Sequence, residues 1–255
     1  MAKLRVRARA VDMLGRQQIA GIPTAIHELF KNAHDAYAER AEVDYFRRTR
    51  VLVIRDDGYG MTRDDVENRW LTLGTESRIK ANNPESVDDV ESIEANYPDS
   101  IINWTGPKNL PRRVIMGEKG IGRLAIAVIA PITLLLTRAV RRNGLHDLVI
   151  ALVHWGLFEQ PGLEIGMIDV PIIELPGGTL PTRENVKELI NCVRQNIEEL
   201  RDELEESEFV RLNSELDKVK VIAPDKLDAT LRKSLKKDES PLSLSEDGYG
   251  THFIL

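Results

Sequence analysis

The sequence predicts an α/β (α+β) domain, and three observations carry that reading. A helix with a polar stripe, about residues 24–40, leads to the unbroken aliphatic run Val51-Leu52-Val53-Ile54, which has the composition of a buried strand. Segments 132–138, 145–158 and 165–175 then alternate or run apolar with β-branched residues, as strands do. Over 182–220, Val186, Leu189, Ile190, Val193, Ile197, Leu200 and Leu204 recur at helical spacing among acids and bases, which predicts one long amphipathic packing or dimer helix.

With 255 residues, the chain is long enough for one large core or for a domain carrying a sizeable insertion. Its 42% hydrophobic and 30% charged residues exclude a disordered class, and its net charge of −6 gives no overall footprint for nucleic acid. Cys192 stands alone, so no intramolecular disulfide or cysteine zinc site exists, and a reducing, cytoplasmic compartment is expected. Neither the start nor the interior reads as a membrane or secretion signal. Arg5, Arg7 and Arg9 alternate with apolar residues like a charged edge strand, or an arm that crosses to a partner subunit. The longest apolar run, 124–136, is interrupted by Pro131.

In chain order, residues 11–20 read as a small helix or turn, and Pro23 and Thr24 prepare the start of the 24–40 helix. On that helix Glu28, Asn32 and Asp35 project from nearly one face. Burying such groups without partners costs roughly 1 to 3 kcal/mol each, so the face belongs either to a ligand pocket or to solvent. A short polar connection precedes strand 51–54, which ends in Asp56-Asp57-Gly58-Tyr59-Gly60-Met61. Two alternate glycines permit close backbone approach, and Thr62 is a good cap for a following helix. Strand, glycine turn and helix in that order describe a ligand loop better than a hairpin. The helix through Trp70 stops at Gly74, where Thr75, Ser77, Arg78 and Lys80 suit phosphate contact or simply a polar loop.

Residues 81–113 are rich in Asn, Pro, Asp, Glu and Ser, the composition of a lid or a disordered loop. The glycine triple Gly117, Gly120 and Gly122 feeds a helix start and could hold an anion, although a tight turn has the same look. Beyond the long helix, a helical piece at 227–236 and a polar linker lead to Gly248–Leu255, an apolar strand entering the sheet. The abrupt apolar end implies an excised N-terminal portion of a longer protein.

Taken together, Glu28-Leu29-Phe30-Lys31-Asn32-Ala33-His34-Asp35-Ala36, Asp56-Asp57-Gly58-Tyr59-Gly60-Met61, Gly117–Gly122 and Gly250-Thr251 resemble the ordered motifs of the GHKL ATPases. That superfamily comprises gyrase-type topoisomerases, heat-shock chaperones of the ninety-kilodalton class, MutL and MORC proteins, and histidine kinases. The first two motifs are specific, the third moderately so, and the last matters only beside the others.

The resemblance implies a two-layer sandwich, the Bergerat ATP-binding fold. In it a mixed, mostly antiparallel sheet carries helices on one face; here a lid spans about 74–120 and a helical insertion about 182–245. It further implies ATP with Mg²⁺ as cofactors. Glu28 would activate water, and Asn32 would hold Mg²⁺. Asp56 would bind the adenine amine, with Gly58 and Gly60 making room for the base and Met61 packing near it. Gly117, Gly120, Ile121 and Gly122 would offer N–H groups to the phosphates, joined by Thr75 and, unless it is merely a surface lysine, Lys119. Thr251 would lie beside the Asp56 carboxylate. Asp35 would brace the helix motif, and His27 and His34 would be surface or packing residues.

A histidine kinase is disfavoured, because too few residues precede Glu28 for a phospho-accepting helix. Asp-Gly-Tyr-Gly-Met-Thr and the Trp70–Thr75 segment look more like the chaperone, MutL and MORC branch. The expected function is an ATP-hydrolysing, ATP-gated clamp that homodimerises through its N-terminal region and serves downstream domains. The alternative is a nucleotide-gated interaction module with negligible turnover.

Overall fold

A computed structural model describes residues 6–73, 110–111, 113–114, 116–117, 122–219, 222–233 and 241–255. Six strands form one sheet in the order β1-β2-β6-β3-β4-β5, and every pairing is antiparallel. They are β1 (Ala41–Phe46), β2 (Val51–Asp56), β3 (Ile132–Arg141), β4 (Gly144–His154), β5 (Ile172–Leu175) and β6 (Gly250–Ile254). The apolar tail thus enters the centre of the sheet, between β2 and β3.

Register and strand alternation sort the side chains onto two faces. Asp56, Thr251 and Thr137 lie opposite one another, as do Ile54, Phe253 and Leu135, and together they form the front face. Against it pack α1 (Arg9–Leu14), α2 (Ile22–Asp35) and α4 (Ile126–Ile129). Between β2 and α4 the chain makes the short α3 (Arg63–Asp65), continued by a π-helical turn over Val66–Trp70. The stripe Ala25, Leu29 and Ala33 is buried at helical spacing and turns α2 toward the core. Trp70 lies against Phe253 and Trp155 on this face, with ring centroids 6.3 and 6.4 Å apart.

The back face carries Arg55, His252, Leu136, Ile150 and His154, and the helical segment covers it. β4 ends in α5 (Trp155–Phe158), whose Trp155 lies on the front face, and α6 (Arg183–Glu199), α7 (Glu206–Val219) and α8 (Pro224–Lys233) follow on the back face. The His154 Nε2–H donates to the Leu212 carbonyl of α7 at 3.1 Å, and Arg55 donates to the Leu242 carbonyl at 2.9 Å. The two-layer α/β unit is present, and its second sheet face is closed by these helices.

Several boundaries differ from the sequence reading: the 24–40 helix spans Ile22–Asp35, and the 145–158 strand gives way to α5 at Trp155. Arg7 bridges Glu164, but α1 begins at Arg9, so the basic start is not an extended strand through Arg9. The polar connection before Val51 contains β1, whose acids Glu42 and Asp44 are held by the buried Arg55 at 2.5 and 2.9 Å. The segment 165–175 is a 3₁₀ turn followed by the shorter strand β5. The long helix is a helical hairpin. Leu200 and Leu204 are both buried at its bend, and Arg194 reaches Asp217 across it at 2.8 Å. No helix among the described residues is long and apolar enough to cross a membrane.

His252 is enclosed between β2 and β3, and burial, reinforced by the nearby Arg55 guanidinium, pushes it down to about 3. An unfolded histidine takes up a proton near pH 6.5, so this group removes stability as pH falls from about 6.5 to 3. His252→Gln is expected to flatten that limb of a pH-resolved denaturation series.

Candidate functional site

The site is assembled where the C-terminal end of β2 meets α2, β3 and β6. Asp56 is buried at 9% exposure. Its Oδ1 accepts from the Gly58 N–H at 2.9 Å. Burial pushes its carboxyl up to about 7, with the neighbouring Asp57 charge also raising it and the Gly58 and Thr251 N–H groups pulling it down. Opposite it, Thr137 Oγ1 accepts from the Met61 N–H at 2.8 Å and lies 3.0 Å from the Gly250 carbonyl and 3.1 Å from Thr251 Oγ1. A hydroxyl has one proton to give. If Thr137 donates to Gly250, Thr251 must donate to Thr137, which leaves Thr251 an acceptor toward its surroundings.

The glycine turn serves the chain's own packing. A Cβ on Gly58 would lie 2.9 Å from the Ala36 Cβ and carbonyl, so the loop sits directly on the end of α2. Gly60 has φ +63, and a Cβ there would lie 2.0 Å from the Arg138 carbonyl. On the side where a Cβ would project, both glycines therefore face the chain itself. Gly60→Ala is expected to destabilise the fold by about 2 kcal/mol or more, read from the midpoint of denaturant unfolding. Asp57 is absorbed structurally too, its Oδ1 accepting from the Glu39 and Arg40 N–H groups at 2.8 Å each. Tyr59 stacks on Tyr37 at 5.0 Å.

Helix α2 brings in the remaining groups. Glu28 Oε1 accepts from Lys31 at 2.6 Å, and a Cβ on Gly122 would lie 2.9 Å from Glu28 Oε2. The expected water-activating carboxylate and the end of the second glycine loop are therefore in contact. Asn32, one turn along, makes no side-chain hydrogen bond with the described residues. Asp35 holds the entry of that loop, accepting from the Met116 and Gly117 N–H groups at 2.8 and 2.9 Å. Asp35 thus engages the Gly117 N–H and braces the entry of the glycine loop, while it also lies 3.4 Å from His34 Nδ1 within its own helix motif. Thr75, Lys119, Gly120 and Ile121, with most of the 74–120 lid, lie outside the described residues.

Two contributors escaped sequence reading. Thr137 sits in an apolar run, Leu134-Leu135-Leu136-Thr137, and only the β3–β6 register places its hydroxyl beside Thr251. Arg113 donates to the His34 and Ala38 carbonyls, at 3.3 and 2.6 Å, closing the end of α2. A cavity of about 330 Å³ also opens on the front face among Trp70, Leu73, Arg123 and Trp155. None of Glu28, Asn32, Asp56 and Thr251 lines it, so it is separate from this site.

The residues present fit a purine nucleotide. Among the described residues, the hydrogen-bond partners of the buried Asp56 carboxylate are the Gly58 and Thr251 backbone N–H groups, and an exocyclic amine would add a further donor to this acceptor. Among the described residues no cluster of three acidic, histidine or cysteine side chains could hold a metal. Mg²⁺ does not need one, since it keeps waters and phosphate oxygens and takes few protein ligands. Asn32 is suited to that single role.

Residues 21–148, just over half of the chain, match the model of the histidine kinase-, DNA gyrase B-, and HSP90-like ATPase family. The chain belongs to that family, whose domains bind and use ATP. No curated protein matches it.

Proposed function

We propose that this chain is an Mg²⁺-dependent ATP-hydrolysing domain that works as an ATP-gated dimerisation switch within a larger protein. The observation that carries the nucleotide assignment is the Asp56–Thr251–Thr137 wall, a buried carboxylate and two hydroxyls side by side across three adjacent strands. Asp56 accepts the adenine amine, and Met61, fixed through its N–H by Thr137, packs beside the base. On α2, Glu28 orients and deprotonates the attacking water. Asn32 holds Mg²⁺, which when bound neutralises charge on the phosphates. Gly122, against Glu28, places the phosphate loop beside that water-activating group. The N-terminal region supplies the dimer contact, and 74–120 and 182–245 are the lid and the insertion of a single domain.

Proton linkage tests the adenine assignment. A ligand amine stabilises the charged form of Asp56, so binding releases a proton over the range where free Asp56 is partly protonated, near pH 7. Calorimetry in buffers of different ionisation enthalpy is expected to show release approaching one proton at pH 6 and fading above pH 8. Zero release throughout sinks the role given to Asp56.

One observation favours the second reading, a nucleotide-gated interaction module with little turnover. Lys31 donates to Glu28 Oε1, so one of the two carboxylate oxygens already has a protein partner and only Oε2 is left to meet water. Phosphate release by wild type and Lys31→Met, run beside light scattering with ATP and a non-hydrolysable analogue, separates the two. Association without turnover in both proteins selects the module.

A further inference from the structure

The carbonyl of Ala127, in α4 directly after the glycine loop, has lost its helical donor because residue 131 is proline. Arg16 supplies the replacement, its guanidinium donating to the Ala127 carbonyl at 3.0 Å. The same turn touches the loop at a second point. A Cβ on Gly15 would lie 2.7 Å from the Leu124 Cβ, so the backbone after α1 presses directly on the first turn beyond Gly122. Residues 15–16 thus hold this segment from one side while Glu28 meets Gly122 from the other.

Arg16 is also tied to the opposite face of the sheet. It pairs with Glu159 at the end of α5, and the other Glu159 oxygen lies 3.5 Å from Arg211 of α7. Arg211 is fixed in turn by Glu208 at 2.7 Å and Glu215 at 3.1 Å, and α7 is anchored to β4 through His154. One chain of contacts therefore runs from the back helices, through Arg211, Glu159 and Arg16, to the helix that follows the phosphate loop.

We propose that Arg16 is a positioning residue for the segment 122–130 that leaves the phosphate loop, and that the α6–α8 layer sets it through the Arg211–Glu159–Arg16 link. A shift of α7 caused by a neighbouring domain would then reach the loop without touching nucleotide. The effect on turnover rests on the ATP reading above, whereas the mechanical link does not. The pairs are partly exposed, with side-chain exposures of 38% at Arg16, 26% at Glu159 and 34% at Arg211, so each step is modest and graded.

Hydrogen–deuterium exchange on the nucleotide-free chain tests the link. Arg16→Gln is expected to raise exchange of the 122–130 amides roughly fivefold, the effect of one lost hydrogen bond on local opening. Arg211→Ala should raise the same amides by about twofold, with β3 amides unchanged and the double variant no higher than Arg16→Gln alone. Unchanged 122–130 amides in Arg211→Ala, or additive effects in the double variant, overturn the link. ATP turnover then tests the positioning role: Arg16→Gln lowers kcat, Arg16→Lys recovers part of it, and Arg211→Ala shifts it in the same direction. Wild-type kcat in Arg16→Gln overturns that role. A wild-type chain that binds no ATP defeats the nucleotide reading alone, and the exchange data still decide the link.

Discussion

Asp56→Asn is expected to abolish ATP binding, with affinity reduced at least about 100-fold by calorimetry. The substitution preserves shape, and the new amide oxygen can still accept from the Gly58 N–H. Its second group is a donor, however, which would face the donor amine of the base. Stability provides the control. The wild-type carboxyl is pushed up to about 7 by burial, so ionising it costs free energy as pH rises from about 4 to 7. Asparagine carries no such cost, and the variant is expected to equal or exceed wild type in stability at pH 8, by up to a few kcal/mol. A variant that unfolds would void the binding comparison, whereas a stable variant that still binds ATP at wild-type affinity would falsify the assignment.

Glu28→Ala should separate binding from chemistry, lowering kcat by about 10²- to 10⁴-fold while leaving the Kd for ATP within about threefold. The side chain sits on the flank of α2, between Lys31 and Gly122, rather than in the Asp56 wall. Its removal therefore takes nothing from the adenine side. Glu28→Gln keeps the volume against Gly122 and should be equally slow, which distinguishes a lost base from a collapsed loop. Hydrolysis at the wild-type rate in both variants would remove Glu28 from the reaction.

Much of this could be read from the chain because several signals are local. The buried stripe of α2, the aliphatic run of β2, the Thr62 cap and the terminal Gly250-Thr251 strand each depend on residues within a turn or two of one another. Where side chains with few apolar neighbours made an element, the reading failed. Strand β1 alternates acids with Val43 and Tyr45, and it becomes a strand because Arg55 on β2 gathers Glu42 and Asp44. The bend at 200–204 contains neither glycine nor proline, and the hairpin exists because α6 and α7 bury their apolar faces against each other.

The sequence by itself determined the class of the domain, the helix bearing Glu28 and Asn32, and the carboxylate ending β2, since periodicity and turn chemistry act over short range. Only the tertiary structure decided what those groups meet. Antiparallel register, a long-range property, set Thr137 beside Thr251 and Asp56. Packing filled the Cβ side of Gly58 and Gly60 with the chain itself and gave the Gly117 N–H to Asp35. A missing donor at Pro131 called in Arg16 from more than a hundred residues away, because a buried carbonyl must find a partner wherever the fold brings one.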